Sequence, residues 1–87
     1  MARATLLLPR LLGDSIGVSR LQVEGRTLRD ALEDAYRRSP ALKQHLCDEG
    51  GGFREHVLCF HEGEQRPMNT PLKDGDEISI VQAISGG

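Results

Sequence analysis

Eighty-seven residues make one small domain, in which eleven Lys and Arg face thirteen Asp and Glu for a net charge of -2. A chain of this length buries only about 60–65% of its unfolded surface, so its core is small. The charge balance leaves no basic stripe for a nucleic-acid footprint, and no apolar run approaches the roughly 18 residues of a membrane span.

Two cysteines, Cys47 and Cys59, are too few for a disulfide framework or a four-cysteine metal site. The expected setting is the cytoplasm without a targeting signal, because the apolar run over 6–8 stops at Pro9. Residues 4–8 read as a first strand that Pro9 ends, since proline offers no N–H to a ladder. Ala4, Leu6 and Leu8 share one face of it, Thr5 and Leu7 the other. Residues 10–17, with Gly13, Asp14 and Gly17, read as a connection to a second strand over 18–24, whose inward residues are Leu21 and Val23.

A helix follows. Thr27 caps it, Asp30 places negative charge in its first turn, and Leu28, Ala31, Leu32, Ala35 and Tyr36 form one apolar stripe. Arg37 and Arg38 suit its negative end, and Ser39-Pro40 stops it and opens a short second helix over 41–46. Gly50, Gly51 and Gly52 invite comparison with a phosphate cradle, but no strand precedes them and no Gly-Lys-Ser/Thr follows, so a mobile loop is expected.

The third strand, over 54–61, carries apolar residues on both faces, and its bulkier pair, Leu58 and Phe60, is assigned to the core. Residues 62–64 turn the chain, 65–68 form a short edge strand, and the tight turn Lys73-Asp74-Gly75-Asp76 leads into a last strand in which Ile78 and Ile80 point inward. The order predicts an α+β fold, a mixed sheet of four to five strands covered by one main helix, with the last strand inserted beside the first. That is the β-grasp, or ubiquitin-like, arrangement, with residues 1–85 as the domain and 86–87 as a flexible Gly-Gly tail.

Candidates for chemistry are few. His56, Cys59 and His61 are close in sequence, but on a strand only Cys59 and His61 share a face, so they read as ordinary surface residues and no metal is expected. Cys59 lacks a base and an orienting group for nucleophilic work. Asp74, Asp76 and Glu77 read as turn chemistry rather than an acid/base pair. What remains is the end of the chain, Gln82-Ala83-Ile84-Ser85-Gly86-Gly87.

That end, with the Asp74-Gly75-Asp76 turn, the Ile78-Ser79-Ile80-Val81 strand and the helix start Thr27-Leu28-Arg29-Asp30-Ala31-Leu32, resembles the ThiS/MoaD family of ubiquitin-like sulfur carriers, which includes the small subunit of molybdopterin synthase. The likeness covers nearly the whole chain. One departure is His61-Glu62-Gly63, where the family often has Asn-Gly.

The resemblance implies a protein co-substrate, not an enzyme. The Gly87 carboxylate would be adenylated by an ATP-dependent activating enzyme, converted to a thiocarboxylate by a sulfur donor such as a persulfide, and emptied by a downstream sulfur-accepting synthase. The chain itself binds no cofactor in this scheme, the ATP being used by the partner. Molybdopterin is the expected pathway, with thiazole and cysteine as others. Ser85 and Gly86 belong to tail recognition, because a tail without side chains threads a narrow channel. Leu7, Val81 and Ile84 are expected to make an apolar docking patch. Two alternatives stand beside this reading: a modifier conjugated to lysines through Gly87, and a β-grasp interaction module without tail chemistry.

Overall fold

Alternating burial builds one four-stranded sheet from β1 (Ala2–Leu7), β2 (Arg20–Gly25), β3 (Val57–His61) and β4 (Asp76–Gln82), in the order β2-β1-β4-β3. The computed structural model describes residues 1–82. β2 runs antiparallel to β1, β4 runs parallel to β1 with Ile78 opposite Leu6, and β3 runs antiparallel to β4 with Cys59 opposite Ile80. The sheet is therefore mixed and its last strand is central, as the element order predicts. Ala4, Leu6, Val23, Ile78 and Ile80 are buried on one face.

The helix α2 (Leu28–Arg38) covers that face with buried Leu28, Ala31, Leu32 and Ala35, and Thr27 caps it by accepting the Asp30 N–H at 3.3 Å. Burying an apolar side chain of this size stabilises by roughly 1.5–3 kcal/mol, so the stripe is what holds the helix to the sheet. A following helix, α3 (Pro40–Leu46), adds the fully buried Leu42 and Leu46. Among the described residues no helix is long and apolar enough to cross a membrane.

Three expectations are corrected. Residues 10–17 are not an open connection but hold a helix, α1 (Arg10–Ile16), which buries Leu12 and ends on Gly17 in the left-handed region at φ 85°. It lies so close to the following turn that a Cβ on Gly13 would sit 2.8 Å from the Val18 carbonyl oxygen. β3 begins at Val57, and its inward residues are Val57, Cys59 and His61, so Leu58 and Phe60 face away from the core. The reason is register: residues directly opposite on antiparallel strands share a face, and Ile80 and Ile78 stand opposite Cys59 and His61.

The edge strand over 65–68 does not form; only isolated bridges, His61 to Glu64 and Thr27 to Pro71, flank that stretch. Its carbonyls serve the helix instead. Met68 and Thr70 accept the N–H groups of Arg29 and Leu28 at 2.9 and 3.0 Å, satisfying donors that the first turn of α2 leaves free. The departure from Asn-Gly is accommodated in a two-residue turn with Glu62 at φ 50° and Gly63 at φ 83°. Glutamate is held in this unfavourable region because its carboxylate accepts the Glu77 N–H at 2.7 Å.

Gly25 sets the distance between sheet and helix. A Cβ there would lie 2.6 Å from the Ala31 nitrogen and 2.7 Å from the Asp30 Cβ, with backbone that cannot swing away. Gly25→Ala is accordingly expected to destabilise the domain by about 1–3 kcal/mol, the usual penalty of overpacking, read as an earlier midpoint in urea unfolding.

Candidate functional site

β4 is hydrogen-bonded on both sides, to β1 as far as Ser79 and to β3 as far as Gln82. Ile78 and Ser79 stand in both ladders, and β3 alone carries the strand on to Gln82, five positions before the end of the sequence, residues 83–87 following it. Ile84, Ser85, Gly86 and Gly87, all named from sequence as site residues, lie outside the described residues.

The two other predicted docking residues are described. Val81 is 41% exposed on the face turned away from α2, and Leu7 is half-buried there. Ser79 lies between them, opposite Leu7 on one side and Phe60 on the other, while Leu58 stands opposite Val81. The outer face thus gathers Leu7, Leu58, Phe60 and Val81 around the last turns of β4. Sequence reading missed Leu58 and Phe60 because it sent them to the core by bulk. The signal that finds them is the pairing register, which puts the smaller Val57 and Cys59 inside.

The remaining polar candidates have structural roles. His61 is buried, at 7% exposure, and not a surface residue. Its Nε2 lies 2.7 Å from the Asp76 carboxylate, which also accepts the Lys73 N–H at 2.9 Å. With the carboxylate ionised, Nε2 is the donor, and the buried Nδ1 finds no partner among the described residues. This pair joins the end of β3 to the start of β4, at the opposite end of the sheet from Gln82. Gly75, at φ 89°, makes the neighbouring turn, and Asp74 accepts the Arg3 N–H at 2.9 Å.

The hydrogen bond from His61, followed by that from the Lys73 N–H, holds the Asp76 carboxyl below its ordinary value of 3.8. Its folded form therefore releases its proton at lower pH than the unfolded chain does. The stability it contributes is present above about pH 4 and is lost as the pH falls through the folded value. Asp34 adds to the same trend: burial raises its pKa, but the Arg38 hydrogen bond, the Glu24 N–H and the charges of Arg38 and Arg37 outweigh it. Urea unfolding between about pH 5 and about pH 3 is expected to show falling stability, with a shallower fall in Asp76→Asn.

Cys59 is buried, and burial pushes its thiol up to about 11, which suits a core residue and not a nucleophile. Cys47 is buried as well, its thiol donating to the Tyr36 hydroxyl at 3.3 Å. His56 precedes β3 and is exposed. Among the described residues no three His, Cys, Asp or Glu side chains come together as metal ligands. The glycine loop is no phosphate cradle either, because the Gly50 and Gly52 N–H groups are turned onto the Asp48 carboxylate at 2.9 and 3.2 Å, and that of Gly51 onto the Asp48 carbonyl.

What the described residues offer is a central strand ending at Gln82 and an apolar face beside it. A model of the ThiS family matches residues 13–87. The chain belongs to the ThiS family. Structures similar to this ThiS-family protein include SAMP1 from Haloferax volcanii, with a TM-score of 0.88 at 24% identity, covering 99% of this chain and 100% of that one. The solution structure of small archaeal modifier protein 1 from Methanosarcina acetivorans gives 0.86 at 27% identity over 100% and 98% of the two chains. A chain of the Amycolatopsis orientalis BexX/CysO complex gives 0.80 at 22% identity over 97% and 99%. Among curated proteins nothing matches.

These likenesses establish the β-grasp fold, and family membership makes the ThiS-family chain a small ubiquitin-like carrier or modifier and not an enzyme.

Proposed function

We propose that this ThiS-family protein is a cytoplasmic sulfur carrier whose reacting group is the Gly87 carboxylate, presented on a Gly86-Gly87 tail. The observation that supports this reading is the placement of β4: a strand locked in mid-sheet ends at Gln82, and a Gly-Gly ending follows within five residues, 83–87.

A carboxylate at neutral pH is a poor electrophile. The partner activating enzyme joins the Gly87 carboxylate to AMP from ATP and releases pyrophosphate. Sulfide then attacks the acyl carbon, the C–O bond to AMP breaks, and the product is a thiocarboxylate. If the donor is a persulfide, attack gives an acyl disulfide, and a second thiol must cleave its S–S bond and leave as a disulfide. A downstream synthase takes the sulfur. Molybdopterin stands first among the acceptors on chain length and resemblance, with the cysteine and thiazole pathways behind it. The CysO in the similar BexX/CysO complex supports a partner-bound carrier of this size.

A second reading has its own support. The 27% identity to small archaeal modifier protein 1 over the full chain favours attachment of Gly87 to lysines of other proteins, from the same acyl-adenylate. Incubating the purified chain with its activating enzyme, ATP and sulfide, then alkylating with a thiol-selective reagent, tests the carrier reading. A C-terminal adduct supports it, and pyrophosphate release without any adduct contradicts it.

The outer face supplies the docking surface in this scheme. Val81→Asp and Phe60→Asp are each expected to weaken binding to the activating enzyme by about tenfold or more while leaving the domain folded, since charge in a desolvated apolar contact is costly. Titration calorimetry with the enzyme checks this, and unchanged affinity for both variants excludes the face.

A further inference from the structure

α1 has no role in the scheme so far, yet the topology sets it near the end of β4. β1 and β4 run parallel, with Leu7 opposite Ser79, so the end of β4 and the Leu8–Pro9 step into α1 lie at the same end of the sheet. Leu12 on α1 is buried, and the helix touches α3, so the face that carries Leu11 is turned to solvent. Leu11 is 74% exposed, the most exposed large apolar side chain among the described residues after Met1. Val18, in the turn behind α1, is also exposed, and a hollow of about 510 Å³ opens between helix and turn, lined by Leu8, Arg10, Gly13, Asp14 and Val18.

Charge accompanies the apolar residue. Arg10 opens α1, and Arg20 stands opposite Leu7, so it borders the outer-face patch. Both are exposed, and neither forms an ion pair among the described residues. Asp14 lines the same hollow as Arg10, and Arg54, Glu55 and His56 lead into β3.

Chain length decides what covers this surface. Residues 83–87 span at most about 18 Å when fully extended, so an enzyme that acts on Gly87 has its channel mouth within that distance of Gln82 and must lie over neighbouring surface. We infer that α1 is a second docking element for the activating enzyme, in which Leu11 is an apolar anchor and Arg10 and Arg20 meet acidic groups on the enzyme. The inference rests on the reading of Gly87 as the adenylated group. It makes the docking surface two-part: the outer sheet face and α1, both near the end of β4.

The test uses the full chain and the adenylating enzyme purified from its own cells by ATP–pyrophosphate exchange with this chain. Leu11→Asp is expected to raise the Kd about tenfold or more, and Leu11→Ala by a smaller factor, with melting curves unchanged because the side chain is exposed. Arg10→Glu and Arg20→Glu are expected to slow association at low salt, a difference that shrinks at high salt. If Leu11→Asp binds within about twofold of wild type while Val81→Asp is weakened, the α1 inference is overturned and the carrier reading stands. If the wild-type chain supports no exchange with any enzyme fraction, both fall together.

Discussion

A chain lacking Gly86 and Gly87 is expected to melt at the temperature of the full chain and to support no pyrophosphate exchange above background. The two halves of that expectation have separate causes. Stability resides in the core made by residues such as Leu6, Leu28, Leu42 and Ile78, all within the described 1–82. In the proposed scheme reactivity resides in one carboxylate, that of Gly87. Truncation leaves a carboxylate on Ser85, but about 7 Å short of its place along an extended tail. Misplacing a reacting group by about 1 Å already costs on the order of 10²-fold, so a shift of two residues removes the reaction. Exchange at the wild-type rate by the truncated chain would show that the ending is incidental and would favour an interaction module.

Ile78→Ala is the second large effect, on stability. Ile78 is fully buried at the middle of the central strand, opposite Leu6 on β1 and His61 on β3. Removing its side chain leaves a cavity bounded by two ladders that cannot close around it, and the expected cost is about 2–5 kcal/mol. Against a total of roughly 5–15 kcal/mol for a natural domain that is a large share. It lowers the melting midpoint by roughly ten degrees or more in a domain of this size. Val81 is three positions along the same strand and turned outward, so Val81→Asp is expected to move stability by less than about 1 kcal/mol while losing the partner. A scan in which Val81→Asp unfolds the domain and Ile78→Ala does not would invert the face assignment of β4.

Much of this was legible in the residues because period and chemistry agreed. The α2 stripe repeats at helical spacing from Leu28 to Tyr36, and its Thr27 cap and Arg37–Arg38 end sit where the helix starts and stops. β4 alternates cleanly behind a glycine turn, which gave its face and its place at mid-sheet. α1 was hidden for a physical reason. Seven residues with a glycine and an aspartate inside are below the length at which a helix holds itself, and this one is held by burying Leu12 and pressing Gly13 against the Val18 carbonyl.

β3 was read on the wrong face because both its faces are apolar. Side-chain volume favoured Leu58 and Phe60, whereas the pairing with Ile80 and Ile78 places Cys59 and His61 inside. That reversal removed a bulky pair from the core and added it to the candidate docking face. The same register explains why His61, a surface residue by composition, is buried on Asp76. Candidate docking residues distributed over β1, β3 and β4 become one patch only when strand order and register are known.

The measurement that tests the central claim most directly is the intact mass of this protein, purified without reducing or alkylating agents from its own cells. A population heavier by one oxygen-to-sulfur exchange, with fragmentation placing the sulfur on Gly87, is the expected result. A carboxylate at Gly87 throughout, in cells that contain the activating enzyme and a sulfur supply, would contradict the carrier reading, and Gly87 joined to lysines in its place would establish the modifier.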